Sequence, residues 1–123
     1  MVFEYALVRL VPRVERGEQL NVGVVVYCRP AGLVRALIRL DEARLLALDP
    51  GADVDGVRAA LSAVAAVCAG GAAAGQAAVD DPGRRFRWLT APRSTIVQPG
   101  PVHCGLTTDP EGEPERLLRQ LVC

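Results

Sequence analysis

Apolar and polar positions alternate along the first third of the chain in a pattern that predicts three β-strands. From residue 2 to residue 11 both alternating sets are largely apolar. Phe3, Tyr5, Leu7 and Val11 fall on one side, and Val2, Ala6, Val8 and Leu10 on the other. A strand covered on both faces has this signature, so the segment is expected at the centre of a sheet. Arg9 breaks the Tyr5/Leu7 side with a charge, and Pro12, which has no N–H to donate, ends the run. From Leu20 to Arg29, Leu20, Val22, Val24, Val26 and Cys28 read as one continuous apolar face. After the turn Pro30-Ala31-Gly32, a third strand from Leu33 to Leu40 presents Val34, Ala36, Ile38 and Leu40. These two strands form an antiparallel hairpin.

The period then changes. Asp41 can cap a short helix over Glu42–Leu48, which Asp49-Pro50-Gly51 stops. Asp53 or Asp55 starts a second helix reaching about Ala69, with Val54, Val57, Leu61, Val64 and Cys68 at helical spacing. Gly70-Gly71 ends it, and an Ala/Gly-rich connection follows over residues 72–83. Helix and strand are both open for Arg84–Leu89. Ser94–Gln98 reads as a strand, Val102–Leu106 as a short strand or extended loop, and Glu111–Leu121 as a last helix facing Leu117, Leu118 and Leu121 inward. The order predicts an α+β fold, an antiparallel sheet of about four to five strands packed against two to three helices, with the helices on one face.

At 123 residues the chain is expected to be a single domain, residues 1–123. Fourteen basic and 14 acidic residues cancel, and every basic residue is arginine. Neutrality argues against generic phosphate-backbone or membrane adhesion. The absence of lysine excludes Schiff-base chemistry, a P-loop lysine and a kinase-type lysine. The N-terminal residues show no basic region followed by an apolar one, so a cytoplasmic location is expected. The uncharged stretch from Ala59 to Val79, long enough to span a bilayer, is poor in bulky side chains and broken by Gly70-Gly71, so it reads as a soluble helix and loop. Cys28, Cys68, Cys104 and Cys123 form no CxxC pair, and reduced thiols with no metal and no cofactor are expected.

Three constellations could carry chemistry. The connection Arg13-Val14-Glu15-Arg16-Gly17-Glu18-Gln19-Leu20-Asn21 holds guanidinium forks suited to phosphate or carboxylate, although a solvated loop with internal ion pairs has the same composition. Arg84-Arg85-Phe86-Arg87-Trp88 interleaves arginine with aromatics, as nucleotide stacking does; the plainer reading closes the core with Phe86 and Trp88 and leaves the arginines in solvent. His103 is the single histidine. With Cys104 or Ser94 it could make a nucleophile–base pair, but neither spacing matches a known nucleophile motif.

Two blocks carry a family resemblance. Tyr5-Ala-Leu-Val-Arg9-Leu-Val-Pro-Arg13-Val-Glu-Arg16-Gly-Glu18-Gln-Leu-Asn21-Val-Gly23-Val and Phe86-Arg-Trp88-Leu-Thr-Ala-Pro92-Arg93-Ser94-Thr-Ile-Val-Gln98-Pro-Gly-Pro101-Val-His103-Cys-Gly105-Leu resemble the bacterial family catalogued as domain of unknown function 3037 (DUF3037). Asp109-Pro110 and the Leu40-Asp41-Glu-Ala-Arg44-Leu segment extend the likeness over nearly the whole chain. Gly100 departs from the serine expected there. The resemblance implies no activity. It implies an accessory role, because genes of this family often lie beside one for a HipA-like kinase protein.

The blocks retain polar residues, and this places Arg9, Arg13, Arg16, Glu18, Asn21, Arg93, Ser94, Gln98 and His103 as a candidate ligand-binding set near one end of the sheet. The favoured expectation is a non-catalytic binding or accessory module for a small anionic ligand or a protein partner, with a homodimer open. The alternatives are an enzyme acting on a phosphate or acyl substrate with Glu18 or His103 as base, and nucleic-acid binding through Arg84–Trp88.

Overall fold

In the computed structural model, which describes residues 1–70 and 81–123, strand β1 (Val2–Leu10) lies at the centre of a five-stranded antiparallel sheet. On one side it pairs with β2 (Leu20–Cys28), which pairs in turn with β3 (Leu33–Ile38). Its other edge is shared end to end by β4 (Val97–Pro99), opposite Val8–Leu10, and β5 (His103–Leu106), opposite Val2–Tyr5. The doubly apolar pattern of the first segment thus has its cause in a central position.

The two apolar sets of β1 face two different covers. Val8 and Leu10 enter a core with Leu45 of α1 (Glu42–Leu48), Leu61 and Val67 of α2 (Val54–Ala69) and Phe86 and Leu89 of α3 (Pro82–Thr90). Phe3 enters a second core on the opposite side with Leu117 and Leu118 of α4 (Glu113–Leu121), and Tyr5 and Leu7 pack against it. Helices therefore cover both faces, not one as expected from element order. A single helical layer would have left one apolar row of β1 in water.

A β-bulge corrects the reading of the second strand. Val8 stands opposite Gly23 and Arg9 opposite Asn21, so Val22 has no opposite residue on β1. A bulge turns two successive residues to one side and shifts the alternation by one. Leu20 and Val22 consequently share a core with Val25, whereas Val24, Val26 and Cys28 face α4. The five residues do not form one face. Gly23 is required at this point, because a Cβ there would sit 2.6 Å from the Leu37 carbonyl oxygen of β3.

Local chemistry sets the helix starts. Asp41 and Asp53 accept hydrogen bonds from the Arg44 and Gly56 amides, at 3.2 and 3.0 Å, and cap α1 and α2 as expected. The undecided Arg84–Leu89 segment is helical. Asp81 accepts from the Gly83 amide at 2.7 Å, with Pro82 in the first turn, where its missing N–H costs nothing. Helix α4 begins at Glu113, two residues later than expected. There Glu113 is buried, and its carboxylate accepts from the Thr107 hydroxyl (2.9 Å) and the Arg116 guanidinium (2.6 and 2.9 Å). The hydrogen bond that Arg116 donates to Glu113 is the main reason its pKa is raised above the ordinary value, and Tyr5 adds to it. Most of the expected connection over residues 72–83 lies outside the described residues.

All four cysteines are free, Cys28 and Cys68 buried and Cys104 and Cys123 exposed. Burial pushes the Cys68 thiol up to about 11 from its ordinary 9.0, with the Arg85 charge opposing. Among the described residues no helix is long and apolar enough to cross a membrane, and no three His, Cys, Asp or Glu side chains gather as metal ligands.

Candidate functional site

The strand register brings three of the candidate residues into one row. Arg9 of β1 stands opposite Asn21 of β2 on one side and Gln98 of β4 on the other. Directly opposite residues project from the same face of a sheet, here the α4 face. The bulge at Val22 is what turns Asn21 to this side. The Asn21 amide donates to the Leu121 carbonyl at the end of α4 (3.3 Å), and the Gln98 amide donates to the Thr95 carbonyl (2.8 Å). Both side chains are thereby held beside the arginine.

Arg9 itself is held differently. Its Nε is buried and has no hydrogen-bond partner. The guanidinium lies against the backbone of Gly100, where an added Cβ would come 3.1 Å from Cζ and 3.3 Å from Nε. A side chain at residue 100 would make the fork give by a few tenths of an ångström. A buried, unpaired donor costs about 1–3 kcal/mol, so Arg9 is a local destabilisation set into an otherwise satisfied sheet.

The remaining candidates do not join this row. Arg13 and Arg16 sit in the exposed connection before β2, where they pair with Glu15 and Glu18. Such exposed pairs contribute about 0–1 kcal/mol and leave the loop solvated. Arg93 follows α3, with its guanidinium 4.5 Å over the Trp88 ring and donating to the Trp88 carbonyl. Ser94 is exposed beside it. His103 stands opposite Tyr5, ring to ring at 5.3 Å, on the same sheet face as Arg9. It is four residues further along β1, roughly 13 Å at about 3.3 Å per residue. Convergence of all nine residues is therefore replaced by a compact trio, Arg9, Asn21 and Gln98, with His103 at the far end of the same face.

The same register separates the two candidate bases. Glu18 precedes Leu20, which is opposite Leu10, while His103 is opposite Tyr5. Leu10 and Tyr5 are five residue steps apart along β1, roughly 16 Å, well beyond proton-transfer reach.

Sequence reasoning missed two contributors. Gly100 stands out in the sequence only as a departure from pattern, although its backbone lies against the Arg9 guanidinium. The Glu4–Arg87 pair, in which one Arg87 nitrogen donates to both Glu4 carboxylate oxygens at 2.9 and 2.8 Å, joins residues 83 apart and carries no local signal.

The family model described as "Protein of unknown function (DUF3037)" matches residues 5–122. The chain belongs to the DUF3037 family. Arg9, Asn21, Gln98 and Gly100 all fall within the matched span of DUF3037. Comparison with curated proteins gave no match, and comparison with solved structures gave none.

Proposed function

We propose that this DUF3037 chain is a non-catalytic binding module whose Arg9–Asn21–Gln98 row takes an anionic group, a phosphate or a carboxylate, carried by a small ligand or a protein partner. The observation that carries this reading is the half-buried Arg9 guanidinium, which has no hydrogen-bond acceptor among the described residues. A guanidinium is planar and binds oxyanions through parallel N–H donors, and an anion over the row would meet its terminal nitrogens. Asn21 and Gln98, anchored by their own hydrogen bonds, orient the oxyanion from either side. A HipA-like kinase protein is the partner class that the family resemblance implies.

The test is thermal unfolding against inorganic phosphate, with the native chain and Arg9→Gln in parallel. Phosphate at about ten times its Kd adds close to 1.4 kcal/mol of stability, a rise of a few degrees in Tm. The reading expects that rise in the native chain and its loss in Arg9→Gln. Equal shifts in both, or none in either, overturn it.

A further inference from the structure

We infer that a second site, on the opposite face of the sheet from Arg9, binds a nucleoside phosphate in the groove between the exposed side of α3 and the Tyr27–Arg29 end of β2. The groove encloses about 830 Å³, within the roughly 300–1,000 Å³ usual for ligand sites. Tyr27, Arg29, Arg84, Arg87, Trp88 and Glu4 line it.

Helical periodicity builds its wall. Phe86 is fully buried and Leu89 nearly so, which turns Arg84 and Trp88 outward on one helix face, four residues and one turn apart. Trp88 is 46% exposed, and it is the chain's single tryptophan. Its ring is not loose: the Arg93 guanidinium lies over it and donates to its carbonyl. A held, half-exposed indole is a platform for a planar base.

The charges in the groove are unequal in their commitments. Both acids are engaged in the fold, Glu4 with Arg87 and Asp81 with the Gly83 amide. Among the described residues, the guanidinium groups of Arg29 and Arg84 have no hydrogen bond or ion pair. These two guanidinium forks supply free donors for a phosphate monoester, and with Asp81 still charged the lining as a whole, Arg29, Arg84 and Arg87 against Glu4 and Asp81, carries one net positive charge. An aromatic plane beside them selects a ring-bearing phosphate over a bare one. The burial of Phe86 also decides between a free nucleotide and a strand. One exposed ring offers one stacking position, whereas single strands are held by successive aromatic platforms over a basic track.

Because Trp88 is the only indole, its fluorescence reports occupancy directly. Adenosine monophosphate is titrated into the full chain, with inorganic phosphate and a hexadeoxyadenylate strand as parallel arms. The expected result is saturable quenching by the mononucleotide, weaker or no quenching by phosphate, and no tighter binding of the strand. By calorimetry, Trp88→Ala weakens mononucleotide binding about 10- to 100-fold. Arg84→Glu, a substitution at an exposed position, weakens it in the same direction. Absence of saturable quenching, tighter binding of the strand, or full affinity in both Trp88→Ala and Arg84→Glu overturns the assignment.

Discussion

Arg9 is where a single side chain sets stability against recognition. Its aliphatic stem belongs in the sheet, but its Nε is buried without an acceptor beside the Gly100 backbone. Arg9→Met keeps most of the stem and removes the unsatisfied donor. It is predicted to raise unfolding stability by about 1 kcal/mol in denaturant titration while abolishing the phosphate response. A net loss of stability would mean that the guanidinium is satisfied in the folded protein. Arginine 9 was legible as an anomaly because it is a charge in a row that otherwise reads Phe3, Tyr5, Leu7. Its isolation was not legible. Arg13 and Arg16 looked equivalent to it by composition, and only their nearness to Glu15 and Glu18 in an exposed loop separates them.

At the scale of elements, caps and a bulge do most of the positioning. The Asp53 side chain holds the first turn of α2 through the Gly56 amide, so Asp53→Ala is expected to cost about 1 kcal/mol in denaturant-induced unfolding, with the fold retained. An unchanged midpoint would show the cap to be unimportant. The first three strands, the first two helices and both of their caps were readable because alternation, helical spacing and Asp before an apolar run are local signals, whereas the strand expected over Ser94–Gln98 runs from Val97 to Pro99. Helix α3 is not legible in the sequence because Arg-Arg-Phe-Arg-Trp-Leu has no clean period. The Asp81-Pro82 start was the signal that could have settled it. The bulge had no local signature at all. Val22, Val24, Val25 and Val26 are all apolar, so a shift of one residue leaves the pattern apolar on either side. Its functional consequence is large, since it aligns Asn21 with Arg9 and Gln98.

For the whole molecule, the central position of β1 means that each face of the sheet carries its own cover and its own candidate site. The α4 face bears the Arg9 row, and the α3 face bears the Trp88 groove. Neutral overall charge is compatible with both, because the acids that form ion pairs do so with Arg13, Arg16, Arg58, Arg87 and Arg116 and leave Arg9, Arg29 and Arg84 without one among the described residues. Long-range pairing, as between Glu4 and Arg87, decides which ones, and that could only emerge from the fold. The most direct measurement is the Arg9 Nε–H resonance in an NMR titration with inorganic phosphate. The reading predicts a saturable shift of that resonance, together with the side-chain amides of Asn21 and Gln98, by about 10 mM phosphate. An Arg9 resonance that stays still, while exposed Arg13 and Arg16 shift weakly and without saturation, would contradict it.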